Sequence, residues 1–429
     1  MGRTALSAKE VRRAEVLSRV QEGKLKLKTA AEMMQISYRQ AKRIWKRYRR
    51  RGEKGLVHRN AGRRSNRAKP SKFRQQVLGC VRKKYSGGVG ERFGPTLAAE
   101  HLESEDGMVI DAETLRRWMM AEGLWSRERK RKPYRQRRER KAHFGELVQL
   151  DGSFEQWLEE RGPEGCLMNL VDDATSTTEC RLGEQETTWA AANLLRLWVE
   201  KYGVPLALYT DWKNVYVRPP TAKEQREGKA AVTQFGRMCA KLGVKIIAAS
   251  SPQAKGRVER NHGTHQDRLI KKLRRKGISS WAGANQYLEQ EYLSEHNRRY
   301  AQVPASGEDF HRPRPGKRQL DEVFCLEQER VLSNDWVVQY AGQWLQVQRQ
   351  SRHHAPARGK VTVREWEDGR LQLLYRGQSL AWQKIATLPI KPTPEPATQL
   401  PQAKVRPARH HPWRRSYQGM STPHSGTYA

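Results

Sequence analysis

The stretch PLALYTD, residues 205–211, is a nearly uninterrupted apolar run that ends in an acid. A strand in which apolar and polar residues do not alternate is typical of one buried on both faces. We therefore expect this strand to lie in the middle of a sheet, with helices packed over it and with Asp211 at its end.

The sequence on both sides of this strand completes an α/β domain. Three extended segments precede it and predict a three-stranded meander, namely ELVQLD (146–151), GCLMNLVDDATS (165–176) and TTECRL (177–182). Residues 186–202 then place apolar side chains on one helical face and end at Gly203. After a polar insert, the pattern predicts a helix over 233–243, a short strand over 244–249 and a helix over 257–276.

Charge is distributed unevenly along the chain. The 429 residues include 82 Lys and Arg against 46 Asp and Glu, which gives a net charge of +36. Residues 1–150 carry 40 basic and 16 acidic side chains, whereas residues 151–250 carry 12 basic and 14 acidic ones. Because the excess of basic residues is concentrated in residues 1–150, it indicates that this N-terminal part of the chain binds nucleic-acid phosphates. A basic surface that is merely solvated is the alternative.

Several protein classes are excluded or disfavoured by composition. The sequence contains no run of about 18 apolar residues, so a membrane-spanning helix is excluded. The charged first 16 residues lack the apolar stretch of a secretory signal. The five cysteines are too dispersed for a disulfide framework or a zinc spacing. We expect a cytoplasmic protein that has no membrane partner.

The N-terminal 51 residues have the pattern of a helix-turn-helix. Over 38–51, the residues Ala41, Ile44, Trp45 and Tyr48 form one apolar stripe, and the opposite face is cationic. Thr29 is expected to cap a preceding short helix, and residues 35–37 to form the turn. The residues expected to face the DNA major groove or its phosphates are Arg39, Gln40, Lys42, Arg43, Lys46 and Arg47. A solvated helix pair without DNA contacts is the alternative.

A second helical DNA-binding domain is predicted over 73–126. Apolar periodicity indicates three helices, the last of them capped by Asp111, and Arg116 and Arg117 are its candidate base-contacting residues. Residues 52–72 are predicted to be a basic linker, and residues 127–144 a cationic tether that is broken at Pro133.

Three carboxylates stand out by position. Asp151 is expected to close the first strand, Asp211 closes the buried strand, and Glu259 lies in the first turn of the last helix. Carboxylates that converge from adjacent strand ends and a helix over that edge are hard oxygen ligands for Mg²⁺ or Mn²⁺, in the outline of a two-metal phosphoryl-transfer site. The alternative for any single strand-end Asp is a cap or a turn former.

Other candidate ligands fit a metal site less well. Asp172 and Asp173 lie where the second strand ends in a turn, among residue types that are typical of turns. The acids at 155, 159 and 160 belong to a polar hairpin. His262 and His265, taken with Glu259, follow a spacing that spans too much of a helix's circumference for zinc.

Four motifs in order carry a family resemblance: LVQLDGSF, CLMNLVDDATS, ALYTDWKNVY and SSPQAKGRVERNHGTHQDRL. They resemble the catalytic core of the DDE transposase and retroviral integrase superfamily, and within it bacterial insertion-sequence transposases outside the large named families. The resemblance implies a ribonuclease H-like fold over residues 145–302, with Asp151, Asp211 and Glu259 as the catalytic, metal-binding triad. It implies two Mg²⁺ ions, with Mn²⁺ as a substitute. The Asp211–Glu259 interval of 48 residues is longer than in retroviral integrases, and an insert at 215–232 accounts for it.

Basic residues surround the third acid of this set. They are expected to hold the phosphates that flank the scissile bond, and they are Lys255, Arg257, Arg260, Lys271 and Lys272.

The rear of the chain changes from helical to alternating patterns. Residues 281–300 are expected to close the core as a helix, and 303–320 to form a linker. Five short strands within 321–388 predict a small all-β domain, an SH3-like barrel. Residues 389–429, rich in proline, are expected to be disordered. The predicted fold class is thus multidomain: all-α modules, an α/β ribonuclease H-like core and a small β-barrel.

Together these features predict a DNA transposase. It would bind the terminal inverted repeats of its element as double-stranded DNA, cut the 3′ ends and join them to target DNA, as a homo-oligomer on DNA in the bacterial nucleoid. No GxxxxGK[ST] motif is present, so ATP use is not expected. A DNA-binding regulator with an inactive ribonuclease H-like domain is the alternative, and a nuclease on RNA–DNA hybrids is disfavoured because A-form grooves hide base edges from helices.

Overall fold

The computed structural model describes residues 6–57, 68–88, 90–126, 138–249, 255–349 and 355–386. The chain divides into two compact units with a boundary between residues 134 and 135, and each is treated by itself. Parts of the predicted linker (58–67) and tether (127–137), and the predicted disordered tail from 389 on, lie outside the described residues. No helix in the described part of the chain is long and apolar enough to cross a membrane.

The first unit begins with three helices, α1 (Ala8–Gln21), α2 (Leu27–Met33) and α3 (Tyr38–Arg51). Their small core includes Leu17, Ile44 and Leu56, so the predicted stripe of α3 does face inward. Ser37 caps α3 by accepting a hydrogen bond from the Gln40 backbone N–H at 3.3 Å. The Thr29 cap was wrong, because α2 begins at Leu27 and encloses Thr29.

Three further helices follow in this unit. They are α4 (Ser71–Cys80), which continues into a π-helical turn over Val81–Tyr85, α5 (Pro95–Ser104) and α6 (Ala112–Ala121). Asp111 caps α6 as expected, accepting hydrogen bonds from the backbone N–H groups of Glu113 at 3.1 Å and Thr114 at 3.0 Å. A separate apolar core ties the three together, so this segment is an independent helical cluster.

The second unit is built on a mixed five-stranded sheet in the order β3-β2-β1-β4-β5. Its strands are β1 (Val148–Glu155), β2 (Gly165–Asp172), β3 (Thr178–Gly183), β4 (Ala207–Thr210) and β5 (Lys245–Ala248). β1, β2 and β3 form the predicted antiparallel meander, and β4 and β5 run parallel to β1. The predicted position of β4 inside the sheet is therefore confirmed.

Helices cover both faces of this sheet. Cys166, Met168 and Leu170 of β2 pack with α7 (Thr188–Tyr202), while Leu167 points the other way and packs with α10 (Gly256–Arg275). β2 is buried along its whole length, whereas β4 alternates buried with half-buried residues. The expectation that β4 is buried on both faces was wrong, because the four-residue strand is shorter than its apolar run.

The remaining helices of this domain are α8 (Ala222–Arg226) in the insert, α9 (Gln234–Leu242), α11 (Trp281–Tyr287) and α12 (Leu293–Tyr300). A π-helical turn at Leu288–Tyr292 joins α11 and α12. This joined helix packs on β3 and α10 through an apolar cluster, so the predicted core-closing helix is present.

The C-terminal region departs from its prediction in two ways. A helix, α13 (Lys317–Val323), begins inside the predicted linker, and its Leu320 and Val323 join the core beside α7. The seven strands are β6 (Leu326–Val331), β7 (Val337–Tyr340), β8 (Gln343–Val347), β9 (Lys360–Glu365), β10 (Leu371–Tyr375), β11 (Gln378–Leu380) and β12 (Trp382–Ile385).

These strands form two sheets, β11-β10-β9-β6 and β12-β8-β7, over one shared apolar core. A closed barrel is not what the described residues form. The chain changes sheet at Ala381, since Leu380 pairs with Leu373 while Trp382 pairs with Val347. Trp336, at φ 55°, lies in the break between β6 and β7, where the chain also changes sheet.

Candidate active site

Backbone register brings two of the predicted acids to one level of the sheet. In the parallel pair β1 and β4, Val148 lies opposite Leu208 and Gln149 opposite Tyr209. Continued, this register carries Asp151 to the level of Asp211, which directly follows β4. Asp151 does not close β1 as expected, because the strand continues to Glu155 by pairing with β2.

The two carboxylates share one ammonium group. Lys255 Nζ lies 2.8 Å from Asp151 Oδ1 and 3.9 Å from Asp211 Oδ2. The Lys255 side chain is only 9% exposed. Asp211 Oδ2 is also 3.4 Å from Lys213 Nζ, whereas Asp211 Oδ1 is buried and has no hydrogen-bond partner among the described residues. An acid pair that shares a cation and retains an unsatisfied buried oxygen fits a divalent metal ion.

The third predicted acid lies on the helix that covers this edge. α10 is fixed to β1 by Gln149, whose amide oxygen accepts a hydrogen bond from the Val258 backbone N–H at 3.1 Å. Glu259 is exposed, four residues after Lys255 and three before His262, so all three share one face of α10. His262 Nε2 lies 3.7 Å from Asp151 Oδ2. In the described part of the chain, no group of three His, Cys, Asp or Glu side chains is arranged to hold a metal ion.

The rival acids have structural partners. Asp172 accepts hydrogen bonds from the backbone N–H groups of Gly145 and Thr175, at 3.0 and 2.7 Å. Burial raises the pKa of Asp172, and these hydrogen bonds oppose that rise.

Asp173 is buried to 0% exposure at the centre of a polar cluster. It accepts hydrogen bonds from Gln149 Nε2 at 2.7 Å and from the Lys141 backbone N–H at 2.9 Å. It also pairs with Arg257 at 3.0 Å and with Arg138. This carboxylate fastens the chain before β1 and the start of α10 to the sheet.

The histidines of α10 are held in the core. Burial lowers the pKa of His262 to about 4, and it lowers the pKa of His265 well below its usual range. His265 shares a 2.8 Å hydrogen bond with the Tyr292 hydroxyl and stacks on His296. His265 is therefore a core residue, in line with the rejection of zinc.

A fourth carboxylate lies beside the pair and was missed by the sequence reasoning. Glu186 precedes α7, and its side chain is 4% exposed. It accepts a 2.6 Å hydrogen bond from the Tyr216 hydroxyl and is paired with the Lys213 ammonium. A Cβ at Gly152 would fall 2.7 Å from Glu186 Oε2. The only local signal in the sequence is a glycine directly after Asp151, which by itself says nothing of Glu186.

Exposure divides the predicted DNA-contacting residues of the second unit. Lys255 is paired with Asp151, Arg257 with Asp173, Lys271 with Asp267 at 2.7 Å, and Lys272 with Glu295. Of this row, Arg260 is the exposed residue.

On α3 of the first unit, most predicted contacts are exposed. They are Arg39, Gln40, Lys42, Arg43 and Lys46, while Arg47 is half-buried. On α6, Arg117 is exposed and lies 3.8 Å from Glu113, which also pairs with the half-buried Arg116.

Trp212, next to Asp211, is the most exposed tryptophan among the described residues at 68%. Sequence reasoning had placed it only in a polar insert.

Several known proteins and one protein family are similar to parts of this chain. A family described as a helix-turn-helix domain matches residues 12–65. Among solved structures, the HTLV-2 integrase catalytic core domain in complex with magnesium (dimeric form) is 18% identical and covers 35% of this chain and 89% of its own, with a TM-score of 0.26. A simian T-cell lymphotropic virus intasome in complex with PP2A regulatory subunit B56 gamma is 13% identical and covers 64% and 92%, with a TM-score of 0.30.

Two relatives extend over almost the whole chain. The transposase for insertion sequence IS1202 of Streptococcus pneumoniae is 25% identical over 448 residues, 94% of this chain and 93% of its own. A protein of Sinorhizobium fredii (strain NBRC 101917 / NGR234), named as transposase y4bF, is 35% identical over 385 residues, 89% of this chain and 82% of its own. With that identity and coverage, and with a helix-turn-helix match near its N-terminus, the chain belongs to the transposases.

Proposed function

We propose that this transposase binds the terminal inverted repeats of its own insertion sequence, cleaves the 3′ ends and joins them to target DNA. The observation that carries the proposal is the pair Asp151 and Asp211, which share one ammonium while a buried oxygen of Asp211 is unsatisfied among the described residues. A DNA-binding regulator with an inactive catalytic domain would have no need to keep two acids close enough to share one cation.

Asp151, Asp211 and Glu259 are the residues that would hold two Mg²⁺ ions, for which Mn²⁺ can substitute. Such ions activate an oxygen nucleophile and stabilise the leaving oxygen in phosphoryl transfer. The exposed Glu259 carboxylate has the freedom to turn toward the other two, since it lies on the same face of α10 as Lys255 and His262. A single site serves both steps, because water and the 3′-OH are alternative nucleophiles for an in-line displacement.

DNA binding is divided between the two units in this proposal. The exposed residues of α3 and Arg117 of α6 contact the repeat, and Arg260 with Lys255 contacts phosphates near the scissile bond. The C-terminal β region, which the sequence likened to an SH3-like barrel, contacts DNA or a second protomer. The protein works as a homo-oligomer on DNA in the cytoplasm, at the nucleoid and without ATP. The domain boundaries predicted from the sequence are part of the same proposal.

The test is strand transfer by the full chain on its own repeat ends, in Mg²⁺ and in Mn²⁺. Asp151→Asn, Asp211→Asn and Glu259→Gln should each reduce joining by several orders of magnitude, since each removes a ligand of the metal site. Repeat binding, measured by fluorescence anisotropy, should be retained. Asp267→Asn is the matched control, because it also neutralises an acid of α10 but lies away from the pair. Normal joining by Asp211→Asn would refute the proposal.

A further inference from the structure

We propose that Lys255 is an exchangeable counter-ion: it neutralises Asp151 and Asp211 when no metal is bound, and it moves to a DNA phosphate when metal enters. The inference rests on the proposed function for the identity of the metal-binding acids. It adds a coupling between metal binding and DNA-end binding that passes through one side chain.

Position is the first argument. The Lys255 ammonium lies within 4 Å of both carboxylates, at 2.8 Å from Asp151 and 3.9 Å from Asp211. A cation that is held by both acids must take the space between them, and this space is where the ammonium lies. Lys255 and such a cation therefore exclude one another at this point.

Charge is the second argument. Two carboxylates that face each other repel, and a nearby positive charge relieves that repulsion. Lys213 cannot replace Lys255 in this role, because its ammonium is paired with the buried Glu186 and lies 3.4 Å from Asp211 alone. Without metal, Lys255 is the described cation that lies within 4 Å of both acids.

Mobility and destination are the third argument. Lys255 is the residue that precedes the first turn of α10, and its side chain can rotate while the helix backbone stays in place. Its ammonium is a compact charge on a flexible four-carbon stem. A scissile phosphate brought to the acids lies within reach of that stem and can accept the charge. Arg257, two residues on, is paired with the buried Asp173 and is not available for this exchange.

Reciprocal coupling follows from this arrangement. Without DNA, the metal ion must displace Lys255 from the acids, and the ammonium gains no new partner. With DNA bound, the displaced ammonium gains a phosphate. DNA ends should therefore tighten metal binding, and metal should tighten DNA-end binding by the same factor.

The first experiment measures Mn²⁺ binding to the full chain without DNA, by electron paramagnetic resonance of free Mn²⁺. Lys255→Gln should bind Mn²⁺ at least about 10-fold more tightly than wild type. The variant removes a unit positive charge at about 4 Å in a partly screened site, and that repulsion is worth more free energy than a 10-fold change in affinity. Lys271→Gln is the matched control, since it removes another buried, ion-paired lysine of α10, and it should leave Mn²⁺ affinity unchanged. Unaltered affinity in Lys255→Gln would overturn the inference.

The second experiment repeats the titration with a duplex that carries the repeat end, either unmodified or with a neutral methylphosphonate at the scissile position. Wild type should bind Mn²⁺ more tightly with the unmodified duplex than with the neutral one. Lys255→Gln should distinguish the two duplexes less than wild type does, because it lacks the ammonium that gains the phosphate, and equal discrimination by both proteins would also overturn the inference.

Further variants and a melting-temperature measurement keep the outcomes separable. Lys255→Arg retains the charge and should bind Mn²⁺ without DNA as weakly as wild type; tighter binding would count against the exchange. If Lys255→Gln folds poorly, Mn²⁺ should raise its melting temperature more than that of wild type, and an equal rise would count against the exchange. If Asp151→Asn and Asp211→Asn bind Mn²⁺ as wild type does, the metal site itself is wrong, which is a failure of the proposed function.

Discussion

Asp173 offers a sharp test of which acids are structural and which are catalytic. Asp173→Ala removes the acceptor of four groups: the Gln149 amide, the Lys141 backbone N–H, Arg257 and Arg138. Arg257, 12% exposed, would be left as a buried charge without its partner. Removing one partner of a buried ion pair costs about 3–5 kcal/mol. Arg138, 34% exposed, adds little because solvent screens it.

That loss converts to a fall in melting temperature of roughly 6–20 °C, at about 2–4 °C per kcal/mol for a unit of this size. Calorimetry of the full chain would measure it. The control is Glu291→Ala, which breaks an ion pair with Lys276 whose two side chains are 56% and 50% exposed, and it should cost only about 0.5 kcal/mol.

Metal binding gives the second readout for this variant. Because Asp173 is proposed to be no ligand, Asp173→Ala should keep its Mn²⁺ affinity under conditions where it is still folded. The reasoning would be refuted by a melting temperature no lower than that of the Glu291→Ala control, or by loss of Mn²⁺ binding with normal stability.

Three other predictions follow from particular side chains. Burial lowers the pKa of His296 to about 4, below its ordinary value near 6.5. The contribution of neutral His296 to stability is therefore complete above about pH 6.5 and is lost as pH falls toward 4. His296→Gln should flatten that part of the curve of melting temperature against pH. Gly152→Ala should push Glu186 aside and reduce strand transfer at least about 10-fold while repeat binding persists, because positioning errors near 1 Å are costly; an active variant would show that Glu186 has no positioning role. Arg39→Ala and Arg43→Ala should each cost roughly 1–3 kcal/mol on the native repeat and change base preference, whereas Arg50→Ala should weaken all sequences alike; binding-site selection distinguishes these outcomes.

The sequence predicted the elements of the core better than their limits. Apolar texture alone identified PLALYTD as a strand inside the sheet, and the structure places β4 there. The same texture misplaced the end of β1, because Gly152 and Ser153 look like a turn in sequence yet pair with β2. Strand ends depend on the partner strand, which a local pattern does not contain.

Contacts over long sequence distances account for the features of the site that were missed. Glu186, Lys213 and Tyr216 meet beside Asp151 only because the folded chain brings three separate segments together. Arg257 resembled a phosphate ligand in sequence, yet its partner Asp173 lies 84 residues earlier. The division of the C-terminal strands into two sheets was likewise not predicted, because the change of sheet at Ala381 has no signature in the periodicity of the sequence.

The parallel register of β1 and β4 means that the site does not depend on an unbroken chain. The level shared by Asp151 and Asp211 is set by backbone hydrogen bonds between the strands, not by the 60 residues that separate the acids in sequence. The exposed stretch at 227–229, in the insert after β4, contributes no residue to that ladder. A protein nicked there keeps Asp151 and Asp211 on one fragment, and the pairing of β5 with β4 returns the other fragment, which carries Glu259, to the sheet. The two fragments could therefore be made separately and recombined as a split enzyme, and a circular permutant with new termini there should keep the same arrangement.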